Sequence, residues 1–452
     1  MNKLEIKLKQ HTPLIHFQHD QEGATLRASE VKPKLDKFIL KRLGNGDYQA
    51  GINTAKGNGW LIGKGDHPAL DYKTRIEGQE LETLNINERQ KYNKRHEQRG
   101  KPFIMDGNTR YLAKERRSDH RLIFDLSAYP LFFANMDADF TNPNEYRKFC
   151  VSVEPLRMTF LVRDNGLYNY INDPDLLNDF FFQTNFGTRQ SKGFGSFSID
   201  NSDPYYRNRI SNYRFKIDSG SWDDVEYVDD EYKRVFEYID LFYKSLRGGI
   251  NLKDGRGNTL FYFKSLVYMY AEDILNAKWD KRKIKEEFYN IERQTKPHTY
   301  DIRDMLGFST NEQWLSYRDS IEKKSAVWDE VEHRFREPRR QEKPLAERMS
   351  SPILIKPFYD ENNCIYTIHI LLQDEKVNMQ GFKDVKKVYI TSKSRHQSFG
   401  IDIPQDFSTN SFFNYVFNEM KFEISDHVEE EYHDHEYYDI LDDIYTQIKS
   451  NL

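Results

Sequence analysis

The sequence predicts an α+β protein, and three observations carry that prediction. Residues 3–9 alternate strictly, with Lys3, Glu5, Lys7 and Lys9 against Leu4, Ile6 and Leu8, which is the period of a half-buried strand. Val31, Leu35, Phe38, Ile39 and Leu43 then recur at helical spacing. Further along, strand-like runs (Val151 and Val153, then Met158 to Val162) give way to an amphipathic helix marked by Val235, Ile239, Phe242 and Leu246.

Taken in order, the first strand ends at Thr12-Pro13-Leu14, and a polar loop with His16, His19, Gly23 and Thr25 follows. Ser29 is the expected N-cap of the first helix, with Pro33 in its first turn, where a missing N–H costs little. Lys34, Lys37 and Lys41 form a second stripe on this helix, a pattern that also marks a simple solvated face. The seven glycines in residues 44–65 predict an irregular loop. Residues 89–121 hold eleven Lys or Arg against four acidic residues, interleaved with Tyr92, Phe103 and Tyr111; this mixture suits single-stranded RNA, or a solvated insertion. Strands are expected in 122–133 and 148–163, and a short polar, acidic segment at 171–179.

After about residue 220 the sequence reads as helical. Gly248-Gly249 stops the first of these helices, and others are expected over Leu260 to Leu275, Arg282 to Ile291 and Trp314 to Phe335. Residues 336–345 are a charged candidate linker. Tyr366 to Leu372 and Val388 to Thr391 read as strands, and Phe407 to Lys421 as a helix. The acidic tail, Glu423 to Asp443, embeds His427, His433 and His435 without a zinc-site spacing and reads as a solvated helix. The expected organisation is therefore 1–220, a helical subdomain over 221–345, and 346–452.

Bulk properties bound the function. A chain of 452 residues accommodates two or three domains. Its net charge of −5 argues against a sequence-independent nucleic-acid coat, though not against a local basic groove. Two cysteines, Cys150 and Cys364, make neither a disulfide framework nor a Cys-based zinc site. No apolar run approaches membrane-spanning length and no signal-like segment opens the chain. The expectation is a cytoplasmic protein with no membrane association, no cofactor and no metal.

The most informative stretch is Gly187-Thr188-Arg189-Gln190-Ser191-Lys192-Gly193-Phe194-Gly195-Ser196-Phe197. Glycines permit positive φ and close backbone approach, and successive free amides would form an anion-binding concavity beside Arg189 and Lys192. Phe194 and Phe197 suit either packing beneath the loop or stacking on a base. The stretch matches neither the P-loop nor the dinucleotide fingerprint, and a plain glycine-rich turn is the alternative.

Lys192-Gly193-Phe194-Gly195-Ser196 resembles the glycine-rich loop of the RAMP superfamily, the RNA-binding subunits of CRISPR effector complexes, which ends in a basic residue, Gly-x-Gly and Ser or Thr. Thr12-Pro13-Leu14, followed by Leu26, Arg27, Ser29, Val31 and Lys32, resembles the strand-to-helix entry of that superfamily, with Pro33 in place of its usual Gly. Arg348-Met349-Ser350-Ser351-Pro352 resembles the entry to the second half of the RAMP subunit that heads the type III-B (Cmr) effector, its subunit one. The resemblance implies two ferredoxin-like (RRM-like) units with a helical subdomain and insertions. It also implies a non-catalytic subunit that contacts guide RNA near its 3′ portion, or the guide–target duplex there, in antiviral defence. Its partners would be guide RNA, target RNA and other RAMP subunits. The RNA-binding residues it implies are Arg27, Lys32, Lys34, Lys37, Lys41, Gly187, Arg189, Gln190, Ser191, Lys192, Gly193, Gly195 and Arg348. Two other readings stand beside it. One is a metal-independent endoribonuclease that processes CRISPR transcripts, with His16 or His19 as acid or base. The other is an architectural subunit whose loop binds a neighbouring protein.

Overall fold

The computed structural model describes the chain outside residues 16–25, 64–67, 79–80, 86, 90, 93, 99, 116–119, 125, 129–147, 219–227, 255, 291–297, 315–318, 340–341, 375–378 and 421. The histidine-bearing loop with His16, His19, Gly23 and Thr25 thus lies outside the described residues. The mixture of helices and strands is that of an α+β protein. The chain forms two compact units: the first comprises Met1–Ile210, Ile217–Glu237 and Lys356–Ile368, and the second Ser211–Lys216, Tyr238–Ile355 and His369–Leu452.

In the first unit, β1 (Asn2–Gln10) leads to α1 (Ala28–Leu43) and α2 (Tyr48–Gly57). Then come β2 (Tyr72–Glu77), β3 (Leu156–Val162), α3 (Asn165–Ile171), α4 (Pro174–Phe182) and β4 (Phe197–Ile199). The sheet order is β4-β1-β3-β2, and every pair is antiparallel. Ile6 stands opposite Met158, Met158 opposite Ile76, and Leu8 opposite Ile199. The alternation read from residues 3–9 puts Leu4, Ile6 and Leu8 in one core with Val31, Leu35 and Ile39 of α1 and Leu176, Leu177 and Phe180 of α4. That two-layer packing gives the sheet a buried and a solvated face.

Several local expectations are corrected. Residues 44–65 are not an irregular loop throughout: Asp47 accepts hydrogen bonds from the amides of Gln49 (2.7 Å) and Ala50 (2.9 Å) and so starts α2. The segment 171–179 is largely α4, capped by Asp173 through the Asp175 amide and opened by Pro174 at its first turn. Ser29 is not the cap of α1; Arg27 holds that position, without a side-chain capping bond.

The second unit receives α5 (Val228–Arg247), whose residues from Tyr238 belong to it. The expected face is present, with Ile239, Phe242 and Leu246 fully buried, and Gly248-Gly249 terminates the helix as read. Next come β5 (Ile250–Lys253), β6 (Thr259–Phe263), α6 (Leu266–Asp273), β7 (Ala277–Trp279), α7 (Asp280–Tyr289), β8 (His298–Tyr300), β9 (Asn311–Trp314) and β10 (Asp319–Ser325). Later in the chain lie β11 (Lys387–Ser392), β12 (Gln397–Asp402) and α8 (Glu436–Ser450). A mixed six-stranded sheet runs β7-β8-β12-β11-β10-β9. The helix expected over Leu260 to Leu275 is instead β6 followed by α6, and in the stretch expected as helix over Trp314 to Phe335 the described residues form strands and turns. In β10 the inward residues are Asp319, Ile321, Lys323 and Ser325. Three of the four are polar, so a period of two was invisible as hydrophobic alternation.

Those polar residues are buried because they pair. Arg303 meets Asp280 at 2.6 Å and grips Glu312 with two guanidinium nitrogens at 2.8 and 3.1 Å. Lys323 meets Asp304 at 2.8 Å and Glu312 at 3.2 Å, and Arg247 reaches Asp304 at 3.1 Å. Burial pushes the Glu312 carboxyl up, but Arg303 and Lys323 more than offset it and hold the group well below the usual carboxylate range. Because the folded-state pKa is depressed, the stability Glu312 contributes is complete above the unfolded value of 4.5 and is lost as pH falls through the folded one. Lys323→Met should therefore cost about 3–5 kcal/mol by removing one of the two cations that each of the buried carboxylates Asp304 and Glu312 pairs with, read as a drop in urea midpoint at pH 7. The wild-type midpoint should itself fall on acidification below pH 4.5; an unchanged midpoint in the variant would show that the network adds nothing to stability.

Candidate nucleic-acid interface

The glycine stretch connects α4 to β4 in the first unit and folds back on the exit of β1. Gly195 donates to the Pro13 carbonyl at 2.9 Å, Thr188 donates to the Ile15 carbonyl at 2.8 Å, and Ser196 donates to the Thr12 hydroxyl at 3.0 Å. The Thr12 hydroxyl in turn donates to the Gly193 carbonyl at 2.6 Å. Gly187 and Gly195 sit at φ +76 and +63°. A Cβ on Gly187 would lie 2.4 Å from the Ile15 carbonyl oxygen, and one on Gly195 would lie 2.0 Å from that of Phe186. Glycine is required at both positions by backbone approach and by left-handed geometry together.

This arrangement corrects the expected anion nest. The amides of Gly187, Thr188, Lys192, Gly193, Gly195 and Ser196 all donate within the protein, that of Gly187 to the Glu30 carboxylate. Phe194 and Phe197 are fully buried, Phe194 stacked on Phe236 with centroids 3.9 Å apart and planes 7° from parallel. Neither ring is placed to stack on a base. The half-buried side chains of Arg189, Gln190, Ser191 and Lys192 form the outer part of the loop, with Arg189 itself at φ +56°.

Besides Glu30, α1 brings Lys34 to this loop. Its ammonium donates to the Asn185 carbonyl at 2.8 Å and the Gln190 side-chain oxygen at 2.7 Å, and lies 4.9 Å from the Phe186 ring centroid. Burial pulls its pKa down to about 8, against the pull of Glu30. Lys32 turns elsewhere, to Asp36 at 2.7 Å, the Leu70 carbonyl at 3.1 Å and the face of Tyr72 at 4.2 Å. Lys37 is exposed and Lys41 half-buried on the same helix, and Arg27 is half-buried at its start. Arg348 is exposed in the second unit.

Sequence reasoning missed Lys356, which the structure buries completely beneath the loop in the first unit. Its three protons go to the carbonyls of Thr184 (2.9 Å) and Phe197 (2.8 Å) and to the Asn185 side chain (3.1 Å). Burial, reinforced by nearby Lys34, holds its ammonium well below the ordinary lysine range. A signal existed: a lone cation inside the apolar run Ile353-Leu354-Ile355-Lys356. Asn185 is the hub of the cluster, donating in turn to the Gln190 carbonyl at 2.7 Å. His11, also unread, joins Ser198 at 2.7 Å and accepts from the Tyr359 amide at 2.9 Å.

Elsewhere, Tyr92 packs on Phe103 (centroids 5.1 Å apart) and Arg110 lies over Phe103 at 5.0 Å, so part of the basic 89–121 stretch is internally stacked. The tail is not merely a solvated helix: α8 buries Leu441, Ile444, Tyr445 and Ile448. His427 binds the Lys264 carbonyl, His433 binds the Val428 carbonyl and His435 caps α8. Among the described residues no group of three or more metal-ligating side chains is present, and no helix is long and apolar enough to cross a membrane.

The comparisons with known proteins bear on the whole chain. Residues 1–250 match the Cmr1 N-terminal domain and residues 262–444 match the Cmr1 C-terminal domain. The chain belongs to the Cmr1 family, in keeping with the resemblance to subunit one of the type III-B effector. Among solved structures it is similar to a chain of a complex described as "Cryo-EM structure of the Type III-B Cmr-beta bound to cognate target RNA and AMPPnP, state 2, in the presence of ssDNA". That chain shares 13% identity, with 81% of this chain and 93% of that one covered, at a TM-score of 0.30. No curated protein sequence matches.

The loop geometry generates one expectation directly. Gly195→Ala should cost more than about 1 kcal/mol, since the substitution meets both a positive φ and a carbonyl oxygen. A thermal melt followed by circular dichroism, with limited proteolysis around residues 187–196, checks it; a wild-type melt with an intact loop would show that neither constraint holds.

Proposed function

We propose that this chain is a non-catalytic RNA-binding subunit of a type III-B CRISPR ribonucleoprotein, acting in antiviral defence in the cytoplasm. It would hold guide RNA near its 3′ portion, or the guide–target duplex there, beside other RAMP subunits. The observation that carries this reading is the loop from Gly187 to Ser196. It is pinned by its own amides to the exit of β1, and its outer part is made of Arg189, Gln190, Ser191 and Lys192. Membership of the Cmr1 family supports the assignment. The β-α-β-β-α-β connection with its fourth-first-third-second strand order supports reading the first unit as ferredoxin-like. With most loop amides engaged, phosphate binding falls to side chains, chiefly Arg189 and Lys192, with Lys37, Lys41 and Arg27 as flanking cations. Lys34, Gln190, Gly187, Gly193 and Gly195 act by holding the loop's shape. Such contacts read the RNA backbone, and sequence is left to base pairing between guide and target.

Arg189→Ala and Lys192→Ala should each weaken RNA binding without loss of fold, and each should reduce the slope of log affinity against log salt by about one. Filter-binding titrations across a salt series check this, and unchanged affinity and slope would overturn the assignment of the loop. The purified protein should leave labelled repeat RNA intact with or without divalent metal. Cleavage that disappears in His16→Ala would replace this reading with the endoribonuclease.

A further inference from the structure

The second unit contains a pocket that the glycine loop does not explain. It has a volume of about 240 Å³ and is bounded by the Gly248-Gly249 turn, the β5–β6 hairpin and the first turns of α6 and α7. Its wall is aromatic: Tyr262, Tyr268 and Trp279, the last two with ring centroids 5.1 Å apart and tilted by 55°. Its charge is of one sign, since Lys264, Lys281, Arg282 and Lys285 line it and no carboxylate does. Glu272 lies 3.9 Å from Lys264 and Glu286 lies 3.8 Å from Arg282, both outside the pocket lining.

Several features of the pocket suit a ligand. Lys264 lies 4.4 Å from the Tyr268 centroid and Lys281 5.4 Å from that of Trp279, so cations and rings are interleaved rather than segregated. Burial pulls Lys281 down to about 8, with Arg303 adding to the fall, and burial likewise lowers Lys285, with Arg282 and Lys253 adding to it. These like charges are crowded together, and an arriving anion would relieve them. Tyr262, at 42% exposure, leaves an aromatic face open to the solvent side.

Cations among aromatic rings are the chemistry of a nucleotide, one part anionic and one part a flat π-system. A pocket of this size is on the scale of a single nucleotide rather than of a duplex. Four cations, Lys281, Arg282 and Lys285 on α7 and Lys264 between β6 and α6, exceed what a single phosphate needs, and suit a strand that carries phosphodiesters on both sides of the base. We propose that this pocket takes one unpaired nucleotide of single-stranded RNA, its base against Tyr262, Tyr268 and Trp279 and its flanking phosphates among Lys264, Lys281, Arg282 and Lys285. It is a site separate from the glycine loop and rests on its own geometry.

The test uses the full chain and short single-stranded RNA carrying 2-aminopurine, whose fluorescence is quenched on stacking. Binding should quench the probe. Tyr262→Ala, at a partly exposed position, should lower the quench. Lys281→Ala with Lys285→Ala should weaken affinity about tenfold and flatten the salt slope by about 1.4. Melting curves identify variants that fail to fold; if the lysine pair does, Tyr262→Ala alone decides through the quench. Wild-type quench in folded Tyr262→Ala, or wild-type affinity in the folded lysine variant, would overturn the proposal. If Arg189→Ala/Lys192→Ala abolishes binding while the pocket variants bind normally, the loop stands and the pocket falls. Adenosine monophosphate is the control ligand: saturation by it that single-stranded RNA does not displace would assign the pocket to free nucleotides and overturn the RNA assignment.

Discussion

The first unit depends on backbone meeting backbone at two glycines. Gly187 and Gly195 lie so close to the carbonyls of Ile15 and Phe186 that no side chain fits, and this closeness lets Thr12, Pro13 and Ile15 take up the loop's polar groups. Lys356, Asn185 and Lys34 then neutralise the carbonyls that remain beneath and beside it. A buried ammonium surrounded only by amide oxygens is costly, yet here it satisfies three acceptors that would otherwise be orphaned. The ordering entropy of the loop is thereby spent on folding rather than on binding, which is the condition for weak, distributed phosphate contacts to give useful affinity.

Legibility from sequence followed the polarity of what was buried. Where burial was apolar, as in β1, α1 and α5, period and element were read correctly. Where it was polar, the reading failed: Lys323, Asp319 and Ser325 make the inward face of β10, and no hydrophobic pattern could show that. Two failures had visible signals. Asp173-Pro174 before Leu176, Leu177, Phe180 and Phe181 is a capped helix start with an apolar face, and Asp47 starts α2 among glycines that obscured it. For the candidate site, the glycines and cations of the loop were evident, whereas the fate of its amides was not. That depended on Thr12, Pro13 and Glu30, far away in the chain and recoverable only from three-dimensional closure.

Charge patterning alone also overstates the cationic surface. Lys32 and Lys34 belong to one basic helix in the sequence, but Lys32 pairs with Asp36 over Tyr72 and Lys34 is spent on the loop. In the second unit Lys323, Arg303 and Arg247 are consumed by Asp280, Asp304 and Glu312. Such interior pairs add little to an external field, and a chain of net charge −5 carries local positive clusters only where its remaining cations gather and carboxylates are sparse.

The two proposed nucleic-acid sites differ in the physics they make available. At the glycine loop the aromatic rings are buried, Phe194 against Phe236 and Phe197 against Phe186, so the loop offers charge and hydrogen bonds but no stacking face. Such a surface would grip a phosphate backbone irrespective of base and would tolerate paired RNA. The second-unit pocket offers the opposite combination, with rings and cations interleaved around a volume on the scale of a single base. A subunit carrying both would hold paired and unpaired segments of RNA by different means. The strand it holds would then be distinguished by whether its bases are free, not by which bases they are.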